Sequence, residues 1–148
     1  MPKEVILVVF QYLEDIATAD VAFKAEGGTL EEVFVECALA TFEAMIDTKK
    51  VEVRTEKEIV LESKEIEGLL MDWLSHLVFI KDAESLAFSE FYVRIKKNDV
   101  YRLVGKAGGE EIDRDRHELR SDVKGVTYHR FELVEKEEGW EATVVLDI

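Results

Sequence analysis

Thr143-Val-Val-Leu-Asp-Ile148 closes the chain. Val144, Val145, Leu146 and Ile148 are apolar and strand-forming, so the run reads as a strand rather than the frayed polar tail on which most chains end. Asp147 interrupts it beside the free terminus of Ile148, which places two carboxylates within two residues. Pinned in a sheet, they form an ordered oxygen cluster that needs a third party. The expected partner is Asp20, far away in sequence. It opens a second strand-like segment, Asp20-Val-Ala-Phe-Lys-Ala-Glu26.

Outward from these two strands, the pattern alternates between helix and sheet. Val5 to Phe10 is continuously apolar and reads as a buried strand. Gly27-Gly28 is a turn. Thr29-Leu-Glu-Glu32 is a capping box, and Leu30, Val33, Phe34, Cys37, Ala38, Phe42 and Met45 then trace one helical face from Leu30 to Ile46. Val51–Thr55 and Glu58–Glu62 read as short strands. Ile66, Leu69, Leu70, Trp73, Leu74, Leu77 and Val78 mark a second helix over Ser63–Ile80, in which Gly68 signals a close contact. Asp82–Ser85 reads as its exit loop. Leu86–Ile95, Val100–Gly105, Gly125–Val134 and Trp140–Ile148 read as strands, with turns at Lys97–Asp99 and Glu137–Gly139. Ala107–Asp122 reads as a polar loop. The expected fold is α+β, two amphipathic helices packed on a largely antiparallel sheet, in a single domain spanning residues 1–148.

Composition narrows the function. The 148 residues carry 33 acids against 19 Lys and Arg, a net charge of −14. Such a field repels phosphate backbones, so direct nucleic-acid binding is not expected, and cations or basic protein surfaces are the natural partners. One cysteine, Cys37, excludes an internal disulfide. No apolar run approaches the ~18 residues of a membrane span, and the first residues lack signal-peptide order, so the expected location is the cytoplasm.

The usual catalytic signatures are absent: no G-x-x-x-x-G-K-[ST], G-x-G-x-x-G, C-x-x-C or H-E-x-x-H occurs. Gly105-Lys-Ala-Gly-Gly109 lacks the Lys-[Ser/Thr] pair of a phosphate loop and reads as a strand end and turn. His76 reads as a helix-surface or half-buried residue, His117 as solvated in a charged loop, and His129 as a strand residue. None has a nucleophile beside it. Cys37 reads as core. Asp47 fits a helix exit turn and Asp72 a polar helix face. Asp20 and Asp147 differ in that each borders or interrupts a strand. Two carboxylates ~4 Å apart repel by roughly 1 kcal/mol in water and ~4 kcal/mol at an effective dielectric of 20. A hard divalent cation such as calcium, which takes six to eight oxygens, removes that cost. The alternative is a cap or a solvated face.

Taken in order, Thr18-Ala-Asp-Val21, Gly28-Thr-Leu-Glu-Glu-Val-Phe34, Leu69-Leu-Met-Asp-Trp-Leu74, Gly109-Glu110, Val123-Lys-Gly-Val-Thr-Tyr-His129 and Leu146-Asp-Ile148 resemble the archease family over nearly the whole chain. The resemblance implies a non-catalytic protein cofactor of the GTP-dependent tRNA-splicing RNA ligase, promoting guanylylation of the ligase and multiple turnover. It implies a metal site, usually calcium, at Asp20, Asp147 and Ile148, and a partner-activating lysine at Lys124. Lys124 has a second reading, structural neutralisation of the aspartates. Ala17 stands where the family has His. The segment Tyr12–Ile16 is lengthened, which leaves Asp15 as a candidate extra ligand. Two other functions compete: a metal-dependent hydrolase of phosphate esters using the same acids, and a chaperone-like scaffold module.

Overall fold

The computed structural model describes residues 9–13 and 20–148. Among them the order is β1 (Val9–Leu13), β2 (Asp20–Gly27), α1 (Leu30–Met45), a 3-10 turn (Thr48–Lys50), β3 (Thr55–Ser63), α2 (Ile66–Glu84), β4 (Leu86–Lys97), β5 (Tyr101–Glu111), β6 (Gly125–Lys136) and β7 (Gly139–Asp147). The strands form two sheets rather than one, ordered β1-β2-β7-β6 and β3-β5-β4. Every pairing within them is antiparallel. The class is α+β, as the alternation of periodicities dictates. No described helix is long and apolar enough to cross a membrane.

Helix α1 begins where its capping box requires. The Thr29 hydroxyl accepts the Glu32 N–H at 3.1 Å, and the Glu32 carboxylate accepts the Thr29 N–H at 2.9 Å. A cap of this kind contributes about 1 kcal/mol. Both helices press on both sheets, so one continuous core holds Phe23 and Val144 from the first sheet with Val93 and Leu103 from the second. Trp73 sits at its centre, fully buried, and its indole N–H donates to the Phe34 carbonyl at 3.1 Å, binding α2 to α1. Cys37 is buried in the same core, as its apolar face implies, and burial pushes its thiol pKa well above the ordinary range. Tyr12 ties β1 to α1 by donating to the Ala40 carbonyl at 2.9 Å.

Several boundaries depart from the sequence reading. Of the predicted strand Val5–Phe10, residues 5–8 lie outside the described residues, and β1 continues to Leu13. Val51–Arg54 joins no ladder. It is held by side chain and backbone instead, with the Glu52 N–H on the Glu110 carboxylate (2.7 Å) and the Arg54 N–H on the Gly109 carbonyl (2.8 Å). α2 starts at Ile66 and runs on through Glu84, ending at Ser85 in the left-handed region (φ 54°). Gly68 does mark a close approach, because a Cβ there would lie 2.8 Å from the Ser63 hydroxyl.

The larger correction concerns Gly105–Gly109 and the start of the expected loop Ala107–Asp122. Residues 101–111 are one unbroken strand. The glycines are there for clearance rather than for turning. A Cβ at Gly105 would strike the Trp73 ring at 2.9 Å, and one at Gly109 would collide with the Ala87 carbonyl. Glycine inside a strand commonly marks such close packing.

Candidate functional site

β2 and β7 pair antiparallel in a register that runs from Asp20 opposite Asp147 to Gly27 opposite Trp140. The register is fixed by the core: Phe23 and Ala25 point inward with Val144, Leu146 and Ala142, all buried. A slip of one residue would turn every one of these outward. Asp20 and Asp147 therefore share the opposite face. Directly opposed residues place their Cβ atoms about 4.5–5.5 Å apart. On that face the next pair inward is Ala22 and Val145, both buried, so the carboxylates border one apolar pair before the face turns polar at Lys24 and Thr143. Asp20 is half-buried and Asp147 exposed.

β6 completes the row. Gly125 faces Asp147 from the other side, and the Lys124 N–H donates to the Asp147 carbonyl at 2.7 Å. That bond fixes the lysine backbone beside the acid pair while its side chain remains exposed. A Cβ at Gly125 would meet nothing within 4 Å, so the space next to Asp147 is open on this flank. Ile148 follows directly. It is half-buried and packs against the core, so it is not the exposed residue its terminal position implies.

Asp20, Asp147, Ile148 and Lys124 thus lie together, at one end of the four-stranded sheet. Asp15 and Ala17 lie outside the described residues. Among the described residues no group of three or more His, Cys, Asp and Glu side chains could hold a metal ion. The two aspartates supply hard oxygens of the kind calcium takes, but they need further donors, and the terminal carboxylate of Ile148 is the nearest in sequence. A surface cavity of about 430 Å³, lined by Glu26–Gly28 and the hairpin residues 136–141, lies at the far end of the same two strands.

Two features escaped the sequence reading. His117 is not solvated: it is 4% exposed, with its Nδ1 accepting the Asp113 N–H (2.9 Å) and its Nε2 on the Glu110 carboxylate (3.0 Å). Glu110, itself 3% exposed, also receives Arg116, Arg54 (3.1 Å) and the Glu52 N–H. The Arg116 hydrogen bond above all holds the Glu110 carboxyl down to about 2. Three hydrogen bonds and the Arg54 ion pair surround this buried acid, so it works as a lock between β5, the Val51–Arg54 segment and the following loop. In the sequence, Asp113-Arg-Asp-Arg-His117 looked like a charged surface run because its partner, Glu110, sits among glycines. The second feature is a bulge in β6. Tyr128, His129, Arg130 and Phe131 lie between Thr127, which faces Val145, and Glu132, which faces Thr143. His76 is half-buried and His129 exposed in its strand, as their settings suggest.

The model of the Archease protein family matches residues 10–148. The protein archease of Methanosarcina barkeri is 40% identical over 141 residues, covering 94% of this chain and 95% of the relative. That of Methanothermobacter thermautotrophicus is 46% identical over 132 residues, covering 88% and 94%. The solution structure of Methanobacterium thermoautotrophicum protein 1598 superposes with a TM-score of 0.83 at 44% identity, over 94% of this chain and 98% of that one. A Thermotoga maritima crystal structure, described as an archease and possible chaperone, shares the fold at a TM-score of 0.61 and 22% identity, over 92% and 97%.

Proposed function

The chain belongs to the archease family, and from that premise we propose that it is a non-catalytic protein cofactor of the GTP-dependent tRNA-splicing RNA ligase. In this reading it promotes guanylylation of the ligase and lets it turn over repeatedly. The observation that carries the proposal is the register that sets Asp20 against Asp147, with Lys124 held to the same residue by its backbone. Asp20, Asp147 and the terminal carboxylate of Ile148 would hold a divalent cation, calcium above all, whose charge removes the repulsion between the acids. Lys124 would then reach an anionic group of the partner's phosphate-handling centre. The acids stand at an open sheet end rather than in a closed pocket, which suits a tip that enters another enzyme better than a site that encloses a substrate of its own.

The test is ligation of RNA ends by the partner enzyme with RNA in excess. Wild-type protein should raise the yield from about one turnover to many. Asp20→Ala or Asp147→Ala should remove the gain while melting temperatures measured without added calcium stay near wild type. Stimulation undiminished in both variants would refute the tip mechanism. A second reading, a chaperone-like module, is favoured by the description of the Thermotoga maritima relative as a possible chaperone. It predicts stimulation or protection of unrelated client proteins, indifferent to Lys124→Ala.

A further inference from the structure

The bulge in β6 sets four residues, Tyr128 to Phe131, against Val144 alone on β7. Bulges of this size re-aim side chains and gather next to functional sites. Here the device is held firmly. Phe131 packs against the core, and the Tyr128 ring meets it edge-on at 5.9 Å. The His129 N–H donates to the Thr127 hydroxyl at 3.1 Å. Arg130 takes a left-handed backbone (φ 56°), which a side chain rarely adopts without a reason imposed by its surroundings. The product is a propped, 69% exposed tyrosine beside an exposed histidine and arginine on an edge strand. Val144 is three residues from Asp147, so the bulge stands about 10 Å along the sheet from the acid pair.

We propose that Tyr128 and Arg130 form a second docking point, which grips a carboxylate-bearing, partly apolar rim on the same protein partner that receives the acidic tip. This rests on the ligase-cofactor reading and extends it to a named surface. The charges fit one anionic partner face: Lys124 at the tip for an anionic group of the partner's centre, then the Arg130 guanidinium for a carboxylate about 10 Å away. Tyrosine and arginine are the residue types that dominate binding energy at protein interfaces, and a ring already propped in place loses little freedom on docking. A protein rim is favoured over RNA because the net charge of −14 opposes approach of a phosphate backbone.

The experiment is titration of RNA-free ligase with wild type, Tyr128→Ala and Arg130→Gly. Glycine keeps the left-handed backbone, so the second variant removes the guanidinium and leaves the bulge in place. Each variant should lose at least about tenfold in affinity, with melting temperature and its calcium response unchanged. Affinities within about twofold of wild type overturn the proposal, as does a loss seen only when RNA is present, which would transfer the contact to an RNA phosphate. Wild-type binding with indifferent variants sinks the docking point alone. Wild-type protein that neither binds nor stimulates the ligase sinks the ligase-cofactor reading as well.

Discussion

Glu110 shows how much one side chain can organise. It is buried, charged and held by three hydrogen bonds and the Arg54 ion pair, which ties a strand to two segments that have no ladder of their own. Removing one partner of a buried charge cluster is costly because the rest are left unsatisfied, and Glu110→Gln should cost about 2–3 kcal/mol near neutral pH. The pH dependence has a definite sign. The folded carboxyl lies near 2 against an ordinary 4.5, so its contribution is complete above 4.5 and drains away as pH falls toward 2. Urea titrations at pH 7 and pH 3.5 should show wild type losing stability between them and the Gln variant losing less. Equal acid sensitivity in the two proteins would mean that the lock is not titrating.

At the scale of elements, the strands and helices were legible wherever periodicity and caps agreed. The Thr29 box, the α1 face and the β7 run all stand where the residues put them. The extension of β5 through Gly108 and Gly109 was not legible, because the reason for those glycines is the Val53 side chain and the Ala87 carbonyl, both from distant segments. The split into two sheets was hidden for a related reason: strand order depends on which face each helix covers, and both helices cover both sheets. The acid pair was legible since each aspartate borders a strand whose inward residues fix its partner. The β6 bulge was not, because Gly125–Val134 reads as an ordinary strand. Terminal geometry also changes the design of a test. Deleting Ile148 would remove a half-buried core contact as well as moving the carboxylate. Adding one glycine after Ile148 keeps that contact and shifts the carboxylate by up to ~3.5 Å. The extended protein should melt like wild type yet bind calcium more weakly and stimulate the ligase less. Unchanged calcium affinity would remove the terminal carboxylate from the site.

For the molecule as a whole, the decisive fact is that residue 20 and residue 147 face each other across one strand pair. Pairing of β2 with β7 and juxtaposition of the two acids are the same event, so a ligand that bridged them would stabilise the fold. A cation at 100 times its dissociation constant adds about 2.7 kcal/mol to stability. The most direct measurement is therefore the calcium-induced rise in melting temperature for wild type, Asp20→Asn, Asp147→Asn and the double variant. If both acids hold one ion, either single substitution should abolish most of the rise and the double variant should lose no more. A full calcium response in either single variant, or losses that simply add, would contradict a shared site.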